Sequence, residues 1–181
     1  MTFSVSSFAT ALGSGTRSNL FEVSIALTNL GATAPTTFAA LAKATSIPAS
    51  TVGLIEVPHL GGRRLKVAGD RTFAEWTVTL MSDEAFKLRT ALEDYQNTLV
   101  TLAGEVVTGS TGSGITIGNR GTGNRATVVV KQLGDDSTVL RTYTLVNAFA
   151  SDISALDLSY DTRDAIQEFT VTWVYDYYTI A

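Results

Sequence analysis

The chain reads as a mainly β protein, an antiparallel β-barrel or sandwich with one flanking α-helix. Three observations predict this. Several runs alternate apolar and polar residues with period two, turn-forming residues separate them, and one stretch carries an apolar stripe at helical spacing. At 181 residues there is room for one domain with a sizeable core, and a second core would be cramped, so a single domain over 1–181 is expected.

Residues 1–19 are rich in Ser, Thr, Ala and Gly with little periodicity, and read as a flexible arm that a neighbour must order. Phe21, Val23, Ile25 and Leu27 then alternate with polar or small residues, the pattern of a half-buried strand. Thr37–Lys43 suits a short helix, ended by Ile47-Pro48 because proline disfavours helix at the residue before it. Apolar runs at Val52–Val57 and Leu65–Ala68 flank Pro58–Gly62 and predict a hairpin. Ala74, Trp76, Val78 and Leu80 form one face of the next strand, with Phe73, Glu75, Thr77 and Thr79 on the other. Asp83 and Glu84 open a helical turn, after which Leu88, Ala91, Leu92, Tyr95 and Leu99 make a single stripe that has to be buried against a sheet. Residues 104–125 hold a Gly/Ser/Thr-rich stretch read as an exposed loop or inserted hairpin. Thr127–Leu133 and Thr138–Asn147 form two strands around the turn Gly134–Ser137. The last strand places Phe169, Val171, Trp173, Tyr175 and Tyr177 on its apolar face.

Composition narrows function. Charged residues are 17% and hydrophobic ones 45%, which leaves weakly polar surface for burial between subunits. A net charge of −4 disfavours a dedicated nucleic-acid binder. The absence of cysteine excludes disulfides, thiolate metal sites and a cysteine nucleophile. No apolar run approaches the roughly 18 to 20 residues that span a bilayer, so no membrane role is expected.

The motifs that could carry chemistry each have a simpler reading. His59 is the sole histidine, and no nucleophile-elbow pattern accompanies it. Gly121–Ala126 matches a dinucleotide-binding spacing, yet it leads into the strand-like Thr127–Val130 and not into a helix. Asp157, Ser159, Asp161 and Glu168 match positions 1, 3, 5 and 12 of a calcium loop, with Thr162 where glycine belongs; turn and ion-pair roles suit them better. Arg63, Arg64, Lys66 and Arg71 could hold phosphate, but pairing with Asp70, Glu56, or a neighbouring copy's Asp161 and Asp164 is the plainer account. Catalytic, cofactor-binding and metal-ligating residues are therefore expected to be absent, and no enzyme activity is predicted.

Two separate stretches point to a family. The run from Asp152 to Tyr175, DISALDLSYDTRDAIQEFTVTWVY, joins a charged turn to an alternating strand, and the run from Thr51 to Thr72 is followed by Phe73-Ala74-Glu75-Trp76. These matches, spanning roughly residues 18–27, 44–99 and 147–178, resemble the tail tube protein of contractile-tailed bacteriophages. That resemblance implies a barrel-like subunit with a flanking helix, six of which close into a ring whose inner strands form a continuous barrel. Stacked rings would form the virion's inner tube within a contractile sheath, the path for DNA ejection. The partners implied are the chain itself, sheath, baseplate and tail terminator proteins, with DNA only in transit. Assembly would take place in the bacterial host cytoplasm. Similar proteins form the tubes of bacteriocins, contractile injection systems and type VI secretion; a tube subunit of such an injection system is the alternative. A β-sandwich carbohydrate-binding module using Trp76 or Tyr177 is more distant, since the alternation turns both rings inward.

The polar faces of the strands carry Glu22, Ser24, Glu75, Thr77, Thr79, Glu168, Thr170, Thr172 and Asp176, a small, hydroxylic and acidic set that would repel a passing polyanion and is the candidate lumen lining. Candidate inter-subunit contacts are Arg63, Arg64, Lys66, Asp70, Arg71, Asp161, Arg163 and Asp164.

Overall fold

Alternation in the sequence becomes antiparallel pairing throughout the computed structural model, which describes residues 4–13, 15–26, 34–99, 125–159 and 166–181. In chain order the elements are α1 (Val5–Leu12), β1 (Phe21–Ala26), α2 (Ala34–Leu41), β2 (Ala42–Thr45), β3 (Ser50–Pro58), β4 (Arg64–Phe73), β5 (Trp76–Met81), α3 (Lys87–Leu99), β6 (Ala126–Leu133), β7 (Val139–Ile153), β8 (Glu168–Val174) and β9 (Tyr177–Ile180). Seven strands make one sheet in the order β1-β6-β7-β8-β5-β2, with β9 also on β7. β3 and β4 pair only with each other. Leu27 and the 104–124 segment lie outside the described residues.

The long strand β7 organises the sheet. Its first half pairs with β6 and β9, its second half with β8. Tyr143 and Leu145 point inward, and then Ala148 and Ala150 do, so the inward parity slips by one residue between them. The slip is a β-bulge, since Ala126 faces Ala148 while Val128 faces Leu145, and Asn147 sits there with φ 57°. Asparagine visits this left-handed region more readily than most residues because its side chain bonds locally. Asn147 Nδ2 donates to Asp176 Oδ2 at 2.8 Å, and Arg125 Nη1 donates to the Asn147 carbonyl at 2.8 Å and to Asp176 Oδ1 at 3.3 Å. The sheet curls around its core: α2 lies against β1 at one end of the strand order and also reaches β5.

Each half of the sheet contributes to one core. In register, Trp76 faces Trp173, Val78 faces Val171 and Leu80 faces Phe169, and all six are buried. Fully burying each large apolar side chain of this kind is worth roughly 1.5–3 kcal/mol. Helices α2 and α3 close the open side. Tyr95 stacks on Trp173 with ring centroids 6.2 Å apart, and Phe38 meets the same indole edge-on at 6.5 Å. Burial pushes the Tyr95 hydroxyl up to about 12, with Arg125 pulling the other way. The α3 start is fixed by Asp83, whose carboxylate accepts the N–H groups of Lys87 and Leu88 at 3.1 and 3.3 Å. Further along, Arg89 and Gln96 donate to the carbonyls of Ser154 and Ala150, which blunts the edge of β7's second half.

Three expectations change. The final strand is two strands: Tyr175 and Asp176 break it where Asp176 takes the Arg125 and Asn147 hydrogen bonds, and parity flips beyond. Tyr177 is consequently turned out, and Tyr178 packs inward against Phe73, Tyr143 and Tyr175. The arm at 1–19 contains the helix α1, capped by the Ser4 side chain on the Ser7 N–H. None of its residues is buried.

Candidate interaction surfaces

The β3–β4 ribbon is built unlike the rest of the chain. Every residue in β3 is exposed, and in β4 only Gly69 and Phe73 are partly covered. Val57 pairs with Leu65 and Ile55 with Val67, so four aliphatic side chains share one face. They are 45%, 64%, 53% and 42% exposed respectively. Glu56, paired with Lys66, and Arg64 lie on the opposite face, where Arg64 Nη1 meets Glu56 Oε2 at 2.7 Å. A bulge separates this outer part from the root, and Gly69 is tightly packed at it: a Cβ there would stand 3.2 Å from the Gly53 carbonyl oxygen and from Ile55 Cγ1, so these neighbours would have to give by a few tenths of an ångström. At the tip, His59 N–H donates to the Arg63 carbonyl and Gly62 N–H to the His59 carbonyl, while the imidazole Nδ1 accepts from Gly61 N–H at 3.4 Å. His59 thus shapes a turn. The root is held by aromatic packing, Phe73 lying edge-on to Tyr178 at 5.5 Å.

A two-stranded ribbon is marginal in water by itself. This one keeps its apolar face open, which is the form of a surface made for a partner.

The expected contact residues divide. Arg63, Arg64, Lys66, Asp70 and Arg71 all sit on or beside the ribbon and are exposed. Arg64 alone among them is ion-paired within the described residues. Asp161, Arg163 and Asp164 lie outside the described residues.

The nine polar-face residues do not form one flat surface, because the sheet curls. Glu22 and Ser24 lie on the β1–β6 half. Thr77 opposite Thr172 and Thr79 opposite Thr170 make a contiguous hydroxyl block on the β5–β8 half, with Glu168 opposite Met81. Glu75 is exposed just before β5, and Asp176 belongs to the Asn147 bend. Their charge is also partly compensated. Glu22 Oε2 meets Lys131 Nζ at 3.2 Å, Glu168 meets Lys43, and Asp176 meets Arg125. Sequence reasoning identified the acids and missed these cations, which come from β6, β2 and the segment before β6; a neighbour in space leaves no mark in linear order. Of the calcium-loop positions, Asp161 is outside the described residues and Glu168 is engaged by Lys43. Trp76, buried, donates Nε1–H to the Ser46 carbonyl at 2.7 Å and offers no platform to a sugar.

A family model described as "Phage tail tube protein" matches residues 16–181. The chain belongs to the phage tail tube protein family. The tail tube protein gp19 of Enterobacteria phage T4 is 33% identical over 166 residues, covering 92% of this chain and 92% of that one. The gp19 of Enterobacteria phage T6 matches to the same extent. Among solved structures, a chain of the sheath-tube complex of an extracellular contractile injection system in its extended state superposes with TM-score 0.64 at 16% identity, covering 99% of both chains. A chain of the anti-feeding prophage baseplate gives TM-score 0.64 at 14% identity, over 91% of this chain and 94% of that one. These likenesses establish a shared fold. Tail tube family membership makes the chain a structural component of a phage tail and not an enzyme.

Proposed function

We propose that this chain is the repeating subunit of a tail tube: six copies close into a ring, rings stack into a hollow conduit within a contractile sheath, and DNA leaves the capsid through it. The observation that carries this reading is the exposed ribbon, whose four aliphatic side chains are unburied in the single chain and would be covered by another copy. The extent of the likeness to the T4 and T6 proteins supports a phage over an injection apparatus. Sheath, baseplate and terminator proteins are the further partners this role requires, in a virion tail assembled in the host cytoplasm. The role calls for no cofactor and no membrane.

For the lumen, the β5–β8 hydroxyl block is the better lining. Polyanion adsorption is driven by lysine and arginine neutralising phosphates, and the one lysine beside this block, Lys43, is held by Glu168. The charged ribbon residues Arg63, Lys66 and Arg71, with Asp70 and with Asp161, Arg163 and Asp164, are the proposed polar rim of the contact between copies.

The test is Leu65→Asp, which puts a carboxylate in the apolar ribbon face. Its circular dichroism should match the parent because the ribbon lies outside the core, while light scattering should show assembly lost. Tubes of normal length from a folded Leu65→Asp protein would remove the ribbon from the account.

A further inference from the structure

A second unburied apolar surface lies at the other end of the sequence. α1 carries no charged residue and places Val5, Phe8 and Leu12 at i, i+3 and i+7, one stripe of the helix. They are 85%, 57% and 57% exposed. The opposite face is satisfied within the helix, with Ser7 Oγ donating to the Ser4 carbonyl and Thr10 Oγ1 to the Ser6 carbonyl, each at 2.8 Å. Eight residues are too few for an isolated helix to be stable in water, so the stripe needs a surface. Among the described residues, no extensive packing joins it to the sheet or the ribbon.

We infer that α1 of one copy docks on the apolar face of the β3–β4 ribbon of a second copy. The two surfaces suit each other in chemistry and size. Neither has a charge to desolvate, because the ribbon's Glu56, Arg64 and Lys66 face the other way. Val5 to Leu12 spans about 10 Å at 1.5 Å per residue. The ribbon patch is about 7 Å long and 5 Å wide in strand geometry, so the three side chains can straddle the Ile55–Val67 and Val57–Leu65 pairs. Both surfaces belong to one chain and are exposed in it, so they are present in equal number and form a head-to-tail contact that repeats along an assembly. The inference rests on the tube reading and names which parts of two copies meet.

The chain has no cysteine, which allows a clean cross-linking test. Phe8→Cys and Ile55→Cys proteins, one carrying a mass tag, are mixed under assembly conditions and treated with a short bismaleimide. Val5→Cys with Val67→Cys serves as a second pair in case one substitution blocks assembly. The expected result is at least tenfold more mixed product than same-variant product, confined to the assembled fraction. Tubes visible by electron microscopy with no mixed product from either pair would overturn the docking and leave the tube reading intact. A parent chain that never assembles would defeat the tube reading, and the docking with it.

Discussion

Replacing Asn147 tests whether the bend in β7 is held by the backbone and side chain of one residue. Asn147 has φ 57°, and its Nδ2 donates to Asp176 Oδ2 at 2.8 Å. A residue with an ordinary Cβ costs about 1–2 kcal/mol in the left-handed region. The hydrogen bond to a carboxylate would be worth more if buried, but the Asp176 side chain is 51% exposed, so about 1 kcal/mol is appropriate. Asn147→Ala should lose both, about 2 kcal/mol or somewhat more. Asn147→Gly keeps the bend accessible and loses the hydrogen bond, about 1 kcal/mol. With a urea slope of about 2 kcal/mol/M, the alanine midpoint falls by roughly 1 M and the glycine midpoint by about half that. The measurement is equilibrium urea unfolding, made where light scattering shows monomer, because association with other copies would add to apparent stability. Equal losses for alanine and glycine, or less than about 0.5 kcal/mol for alanine, would refute the reasoning.

The ribbon glycine, the buried tyrosine and the proposed lumen give three further tests. Gly69→Val should deform the ribbon, since its Cβ would meet the Gly53 carbonyl and Ile55 at 3.2 Å; assembly should weaken at least tenfold by light scattering while the urea midpoint of the monomer barely moves. Tyr95 should ionise near pH 12 in a 295 nm titration, with that step missing in Tyr95→Phe. Its raised folded value means the stabilisation is complete below the ordinary tyrosine value of about 10 and is lost as pH rises through about 12. Glu75→Lys with Glu168→Lys should slow DNA ejection from assembled particles, the second change also freeing Lys43 from its carboxylate; an unchanged ejection rate would discard the lumen assignment.

Much of the fold was legible because half-buried strands write their burial into alternate residues. Trp76, Val78 and Leu80 opposite Trp173, Val171 and Phe169 follow that rule without exception, and the α3 stripe of Leu88, Leu92 and Tyr95 follows the helical one. The rule fails where spacing is broken by a bend. Nothing in the run from Phe169 to Tyr177 signals that Asp176 is claimed by Arg125 and Asn147, so alternation alone points Tyr177 inward, where the structure places Tyr178 instead. α1 was missed although Ser4 as a cap and Phe8 with Leu12 at helical spacing were present, because the stripe is short and buries nothing in its own chain. The ribbon's position is readable from its glycines and paired apolar runs, whereas its exposure is not: a strand face left open has the same sequence pattern as one buried in the core.

The most direct measurement of the central claim is negative-stain electron microscopy of the purified full chain, with solution mass by light scattering at several concentrations. Hollow rings or tubes of uniform diameter, with mass rising in multiples of a ring, are the predicted result. A monomer at every concentration, still monomeric when preformed tail baseplates are added to nucleate growth, would contradict it.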